Sequence, residues 1–162
     1  MFIISVITCV FIKEDISLIT INGVLPGNKC ITEMLSNIAA SGILIDMINY
    51  STMPSKDTNF SFSVLDNDLP KVLPIVGSLK STFPIINTDV SSRNTKFRFY
   101  SDNMASTEGV ASSLLHSLDS EKVEIKLITT SDNDISVLVD GMSAESVVKL
   151  AVETYGAKLN IL

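Results

Sequence analysis

Apolar positions along this chain switch repeatedly between a period of two and a period near 3.6. Residues 16–22 form a β-branched run that ends in the turn-rich stretch Gly23-Val24-Leu25-Pro26-Gly27-Asn28. Ile31, Met34, Leu35, Ile38 and Ala39 then recur at helical spacing, and Gly42 is placed to stop that helix. The spacing predicts a buried strand over 43–50, a polar loop over 51–58, and a strand over 59–65. In the last of these, Phe60, Phe62 and Val64 alternate with Ser61 and Ser63. A second helix follows, with Asp68 as N-cap and Pro70 in the first turn, where a missing N–H costs nothing. Pro74 removes a backbone hydrogen bond further in and predicts a kink.

The same order returns in the second half. After a further strand over 83–90 that ends the first half, Phe97 and Phe99 alternate with Lys96 and Arg98 over 95–100. Val110, Ala111, Leu114, Leu115 and Leu118 make a helical stripe. Val123, Ile125 and Leu127 alternate with Lys122, Glu124 and Lys126, which predicts a strand with one solvated face. Residues 135–139 are apolar throughout and read as a central strand. Ser143 is placed to cap a last helix whose inner face is Val147, Val148, Ala151, Val152 and Tyr155, and Gly156 to end it.

Each half therefore reads strand–helix–strand–strand–helix with one further strand available, at 6–11 and 83–90. That is the split βαβ arrangement of a ferredoxin-like fold, α+β, with an antiparallel sheet and helices on one face. Two such βαββαβ units in tandem is the predicted architecture, with the extra strands completing sheet edges.

Length and composition fit this picture. The 162 residues are 46% hydrophobic and 19% charged, with no tryptophan, so the cores must be aliphatic and phenylalanine-based. A net charge of −6 argues against nucleic acid and anionic membrane surfaces as partners, both of which call for clustered Lys and Arg. The opening twelve residues are apolar but lack a basic n-region and a cleavage site, and Lys13-Glu14-Asp15 ends them well short of a membrane span. They read as a buried strand. Cys9 and Cys30 form no C-x-x-C pair, and their apolar surroundings predict buried small hydrophobes in a reducing, cytoplasmic setting.

Catalytic constellations do not emerge. His116 is the single histidine, so neither a histidine metal site nor a Ser-His-Asp triad can be assembled. Asp66, Asp68, Asp132 and Asp134 read as turn and capping residues. No phosphate-cradling glycine motif is present, and the residues point to no cofactor and no metal. The strand-to-helix junctions at 23–28 and 101–108 are more informative. They expose backbone N–H groups at the positive end of a helix and can hold a carboxylate such as that of a free amino acid; ordinary capping is the plain alternative.

Several segments resemble the regulatory region of aspartate kinases. Ile128-Thr-Thr-Ser-Asp-Asn-Asp-Ile-Ser-Val-Leu-Val139 is similar to the I-[ST]-T-S-[ED]-x-x-I-S-V-L segment of that family's second ACT domain. Met104 followed by Gly109-Val110-Ala111 resembles its G-x-G-M-x-x-x-x-G-V-A loop. Ile43-Leu-Ile-Asp-Met-Ile48 resembles its I-N-I/V-D-M-I strand, and Phe62-Ser-Val-Leu-Asp-Asn-Asp-Leu-Pro-Lys71 its F-T-V-x-x-x-D-L-P-K stretch. The resemblance runs along almost the whole chain.

The resemblance implies a regulatory module without the kinase domain that phosphorylates aspartate. It implies a first ACT domain at 15–90 inserted into a second formed by 1–14 plus 91–162, so that the strand over 6–11 completes the second sheet. It implies sheet-to-sheet pairing into a homodimer, a kinase catalytic domain or subunit as a further partner, and a free amino acid, lysine or threonine, bound at the ACT interface. The effector-binding residues it implies are Pro26, Gly27 and Asn28 in the first loop, Asp46, Asn49 and Tyr50 on the facing strand, and Met104, Glu124 and Ile125 in the second unit. Backbone N–H groups would take the carboxylate and a side-chain oxygen the ammonium. A second reading is a ligand-free ACT scaffold acting only through protein–protein contacts. Val24 at the family's aspartate position, and Leu44 and Glu124 at its asparagine positions, favour that reading. An enzyme in its own right is a third reading, without an acid–base pair to support it.

Overall fold

The computed structural model describes residues 6–24, 29–52, 58–83 and 87–162. The chain divides into two compact units: an insert, Asp15–Ser92, and a host, Met1–Glu14 with Arg93–Leu162. Both crossings fall at a non-glycine residue in the left-handed region, Asp15 (φ 56°) and Arg93 (φ 57°).

The insert is a ferredoxin-like βαββαβ unit. Its elements are β1 (Cys9–Val24, from residue 15 on), α1 (Lys29–Ala40), β2 (Ile48–Thr52), β3 (Thr58–Leu65), α2 (Leu69–Thr82) and the start of β4 (Asn87–Tyr100). The strand order is β2-β3-β1-β4, with β3 antiparallel to both β1 and β2. Ile19 and Ile21 of β1 lie opposite Phe62 and Phe60 of β3, and this apolar face carries Cys30, Ile31, Met34 and Ile38 of α1 and Val72, Val76 and Leu79 of α2. Each fully buried side chain of this size contributes about 1.5–3 kcal/mol. Gly42, at φ +71°, ends α1 as its position requires.

Four expectations for the insert change. The strand over 16–22 and the strand over 6–11 are one sixteen-residue strand, because Lys13-Glu14-Asp15 continues in extended pairing up to the left-handed Asp15. The strand expected over 43–50 begins only at Ile48 and is not buried: Ile48 and Tyr50 are 49% and 43% exposed on the edge strand β2, and Leu44, ahead of it, is 84% exposed. Ser61 and Ser63, which alternate with the apolar positions of β3, are both buried; Ser63 Oγ accepts the N–H of Met47 at 3.0 Å, and Ser61 Oγ lies 3.0 Å from Thr20 Oγ1. Asp68 precedes α2 without a side-chain cap, facing Lys71 Nζ at 3.4 Å instead. The strand expected over 83–90 begins at Asn87, Phe83 being the C-cap of α2.

The host adds α3 (Val110–Ser120), β5 (Ile125–Thr130), β6 (Asp134–Asp140), α4 (Ala144–Glu153) and β7 (Lys158–Ile161). Antiparallel β4–β6 and β6–β5 pairs place β6 centrally, as its unbroken apolar run requires. The first part of β1 joins this sheet as a further strand and pairs with β7 in parallel, Cys9 with Lys158 through Ile12 with Ile161. The core gathers Val10, Ile12, Phe97, Phe99, Leu114, Leu118, Val137, Val139, Val147 and Ala151. Val152, expected inside, is 48% exposed, and Leu150 takes its place. Strand β7 was not expected: all four residues are exposed, so no period of two marks it. The capping expected of Ser143 is done by Asp140, whose carboxylate accepts the N–H of Met142 at 3.0 Å at the start of a 3-10 turn leading into α4.

Candidate functional site

In the host, β4 passes into α3 through a tightly organised polar loop. Ser101 is 1% exposed, and its N–H donates to the carbonyl of Asn133 at 2.9 Å. Its Oγ takes the N–H of Asn103 (3.2 Å), and its carbonyl that of Met104 (3.4 Å). Met104 opens a 3-10 turn and drops its side chain into the host core at 8% exposure, anchoring the loop from below. The N–H groups of Ser106 and Thr107 return to the carbonyls of Asn103 and Met104. Tyr100 donates to Asp102 Oδ1 at 2.5 Å, and this carboxylate holds the phenol above its ordinary range.

The loop ends at Gly109, the N-cap of α3, at φ +80° with no side-chain capping bond. The first hydrogen bond of this helix end runs from Ser113 N–H to the Gly109 carbonyl, so the N–H groups of Val110, Ala111 and Ser112 stand at the positive end of the helix with no capping side chain. A carboxylate is the chemical group that completes such an end.

The turn between β5 and β6 supports this loop. Ser131 Oγ donates to Asp134 Oδ2 at 2.8 Å and accepts the N–H groups of Asn133 and Asp134, while Ser136 donates to the other oxygen of Asp134. The Thr-Ser-Asp-Asn-Asp run thus folds on itself and offers the Asn133 carbonyl to Ser101. The parts that Ser101 and Ser131 play in these turns were not read from the sequence; a serine beside Asp and Asn in a tight turn is the signal that marks them.

The expected site residues fall as follows. Glu124 is exposed just ahead of β5, and Ile125, half-buried, opposes Val139 of β6 before a register shift. In the insert, Asp46 is exposed with its N–H on the Ser63 carbonyl (3.1 Å); Asn49 and Tyr50 are exposed on β2, opposite Ser61 and Phe60. Pro26, Gly27 and Asn28 lie outside the described residues. Cys30 is buried, which raises its thiol and leaves it unreactive. No helix among the described residues is long and apolar enough to cross a membrane.

The ACT domain family model matches residues 100–155, the span from the end of β4 through α4. The aspartokinase of Geobacillus stearothermophilus is 24% identical over 144 residues, 89% of this chain and 34% of that protein. The chain thus spans about a third of the length of the curated relatives it matches. Among solved structures, the regulatory subunit of aspartate kinase from Thermus flavus superposes with a TM-score of 0.81 at 21% identity, covering 93% of this chain and 98% of that one. The E. coli aspartokinase III complex with lysine and aspartate gives a TM-score of 0.69 at 16% identity, covering 93% of this chain and 33% of that one. Residues 100–155 therefore match the ACT domain family, and over most of its length the chain resembles the regulatory region of aspartokinases.

Proposed function

We propose that this chain is an amino-acid-sensing regulatory module of an aspartokinase-like protein, with an ACT domain in each unit and a kinase catalytic domain, on the same chain or another, as the element it regulates. The observation that carries the reading is the host loop, pinned by Ser101 and Met104 and ending at the uncapped start of α3. It is shaped to hold the carboxylate of a free amino acid. Lysine or threonine is the proposed effector; the E. coli neighbour solved with lysine supports the first. Edge strand β2, with Ile48 and Tyr50 exposed, supports pairing of two copies sheet to sheet, with Asp46 and Asn49 at the same edge. Effector binding would bias one arrangement of the assembly, which is how a bound amino acid reaches a distant active site.

A ligand-free scaffold is the second reading. The observation favouring it is that the N–H groups of Asn103, Met104, Ser106 and Thr107 are already taken within the loop.

A thermal-shift series against the twenty amino acids tests the first reading. A ligand at a hundred times its dissociation constant adds about 2.7 kcal/mol of stability. A rise in melting temperature with lysine or threonine supports the sensor; no rise with any amino acid overturns it in favour of the scaffold.

A further inference from the structure

The step from Asn22 to Gly23 interrupts the ladder between β1 and β3. Ile21 pairs with Phe60 and Val24 with Thr58, and the register shifts between them. Gly23 takes φ 73° and carries no Cβ to shield its nitrogen. The half-buried Asn22 side chain donates its Nδ2 to Asp89 Oδ2 on β4 at 2.7 Å. That bond fixes the amide nitrogen, and the unshielded Gly23 nitrogen follows it directly in sequence.

From this geometry we infer that Asn22–Gly23 is a site of spontaneous covalent modification, in which the asparagine cyclises onto the glycine nitrogen and opens to an acid. The Gly23 nitrogen bonds to Asn22 Cγ, the Cγ–Nδ2 bond breaks, and the nitrogen leaves as ammonia, carrying the proton that Gly23 gave up. Water then adds across one of the two imide C–N bonds, giving aspartate or isoaspartate at position 22. No oxidant, reductant or further reactant is needed. The product replaces an amide-to-carboxylate hydrogen bond with two facing carboxylates, so the modification acts on the insert by charge repulsion at the exit of β1.

The chain contains a natural control. Asp140–Gly141 has the same small neighbour, but both oxygens of Asp140 are engaged, by Met142 N–H and Lys126 Nζ at 3.0 Å each. A Cβ on Gly141 would lie 2.6 Å from the Arg93 carbonyl, so that backbone has no room to swing into a ring. The two steps should therefore behave differently in the folded chain.

The test is peptide mapping of the folded chain after incubation in mildly alkaline buffer made with oxygen-18 water. Position 22 should gain label as a mixture of aspartate and isoaspartate, several-fold faster than any other asparagine and faster than isomerisation at Asp140. Conversion of Asn22 no faster than that of the other asparagines, in a chain that converts readily once denatured, overturns the proposal. The consequence is read with variants. Asn22→Asp should lower the melting temperature, and Asp89→Asn added to it should restore most of the loss. An equal loss with and without Asp89 overturns the repulsion.

Discussion

Lys126 Nζ lies 3.0 Å from Oδ2 of Asp140 and, through its remaining protons, 2.7 Å from Oδ1 of Asn94. Asn94 and Asp140 are register partners on β4 and β6, so one lysine on β5 ties three strands of the host together. Asn94 is fully buried, and its side-chain oxygen could not be left without a donor at that depth.

The Asp140 carboxylate is held below its ordinary range, first by the Met142 N–H and then by Lys126. A carboxyl lowered in the folded state stabilises above its unfolded value of about 4 and loses that contribution as pH falls through the lowered folded value. Asp140→Asn should therefore lower the melting temperature at neutral pH, and its difference from the parent chain should shrink on acidification below about pH 4. Melting curves across that range check this; a difference independent of pH would place the effect elsewhere.

Gly141 and Gly109 are required for opposite reasons. At Gly141 an added Cβ would meet the Arg93 carbonyl at 2.6 Å, a backbone atom that cannot swing aside. At Gly109 nothing lies within 4 Å, but φ is +80°. Gly141→Ala should cost about 1–3 kcal/mol through overpacking, and Gly109→Ala about 1–2 kcal/mol through backbone strain. Asparagine, which tolerates the left-handed region, should be accepted at 109 and rejected at 141. Denaturant unfolding of the four variants separates the two causes.

Ser63 is wholly buried and its Oγ accepts the N–H of Met47 at 3.0 Å. Ser63→Ala keeps the shape but leaves that amide unsatisfied, at a cost of about 1–3 kcal/mol. Ser63→Thr should recover part of the loss by retaining a hydroxyl. Hydrogen exchange at the Met47 amide should speed up in the alanine variant and not at Ile19 or Phe62.

Helices and central strands were legible because their burial is one-sided or complete. Met34 and Ile38, Leu114 and Leu118, and the 135–139 run stand where periodicity puts them. Three features were not legible, each for a physical reason. The polar triplet Lys13-Glu14-Asp15 hid the continuity of β1, because a strand can pass through charged residues when a left-handed residue re-aims it. The burial of Ser61 and Ser63 was not visible because the partner that satisfies each hydroxyl lies elsewhere in the chain. Strand β7 buries neither face, so only its pairing with β1 reveals it. At the candidate site, the special character of residues 128–139 was visible as a motif. What the motif does was not: the bond from Ser101 N–H to the Asn133 carbonyl joins positions far apart in sequence.

Met104 separates stability from ligand response in the proposed sensor. Its side chain is buried in the host core, and its N–H is bonded to the Ser101 carbonyl. Met104→Leu conserves volume and should cost under about 1.5 kcal/mol, whereas Met104→Ala should cost about 2–5 kcal/mol. If the loop holds an amino acid, the alanine variant should also lose the ligand-induced rise in melting temperature at a ligand concentration saturating the parent chain. A full rise in that variant would remove the host loop from the site.

Ile48 tests self-association without disturbing either core. It is 49% exposed on the edge strand β2, opposite Phe62, and belongs to neither buried cluster. A lysine there keeps the backbone pairing with β3, because the side chain takes no part in the ladder. It places a charge where a second copy would have to approach, the device by which natural edge strands avoid pairing. Ile48→Lys should therefore leave the melting temperature of the dilute chain within about 0.5 kcal/mol equivalent of the parent, while shifting sedimentation at high concentration toward the monomer. Unchanged sedimentation in a chain that does associate would assign the contact to another edge, with exposed Ile128 on β5, the far edge of the host, as the next position to charge.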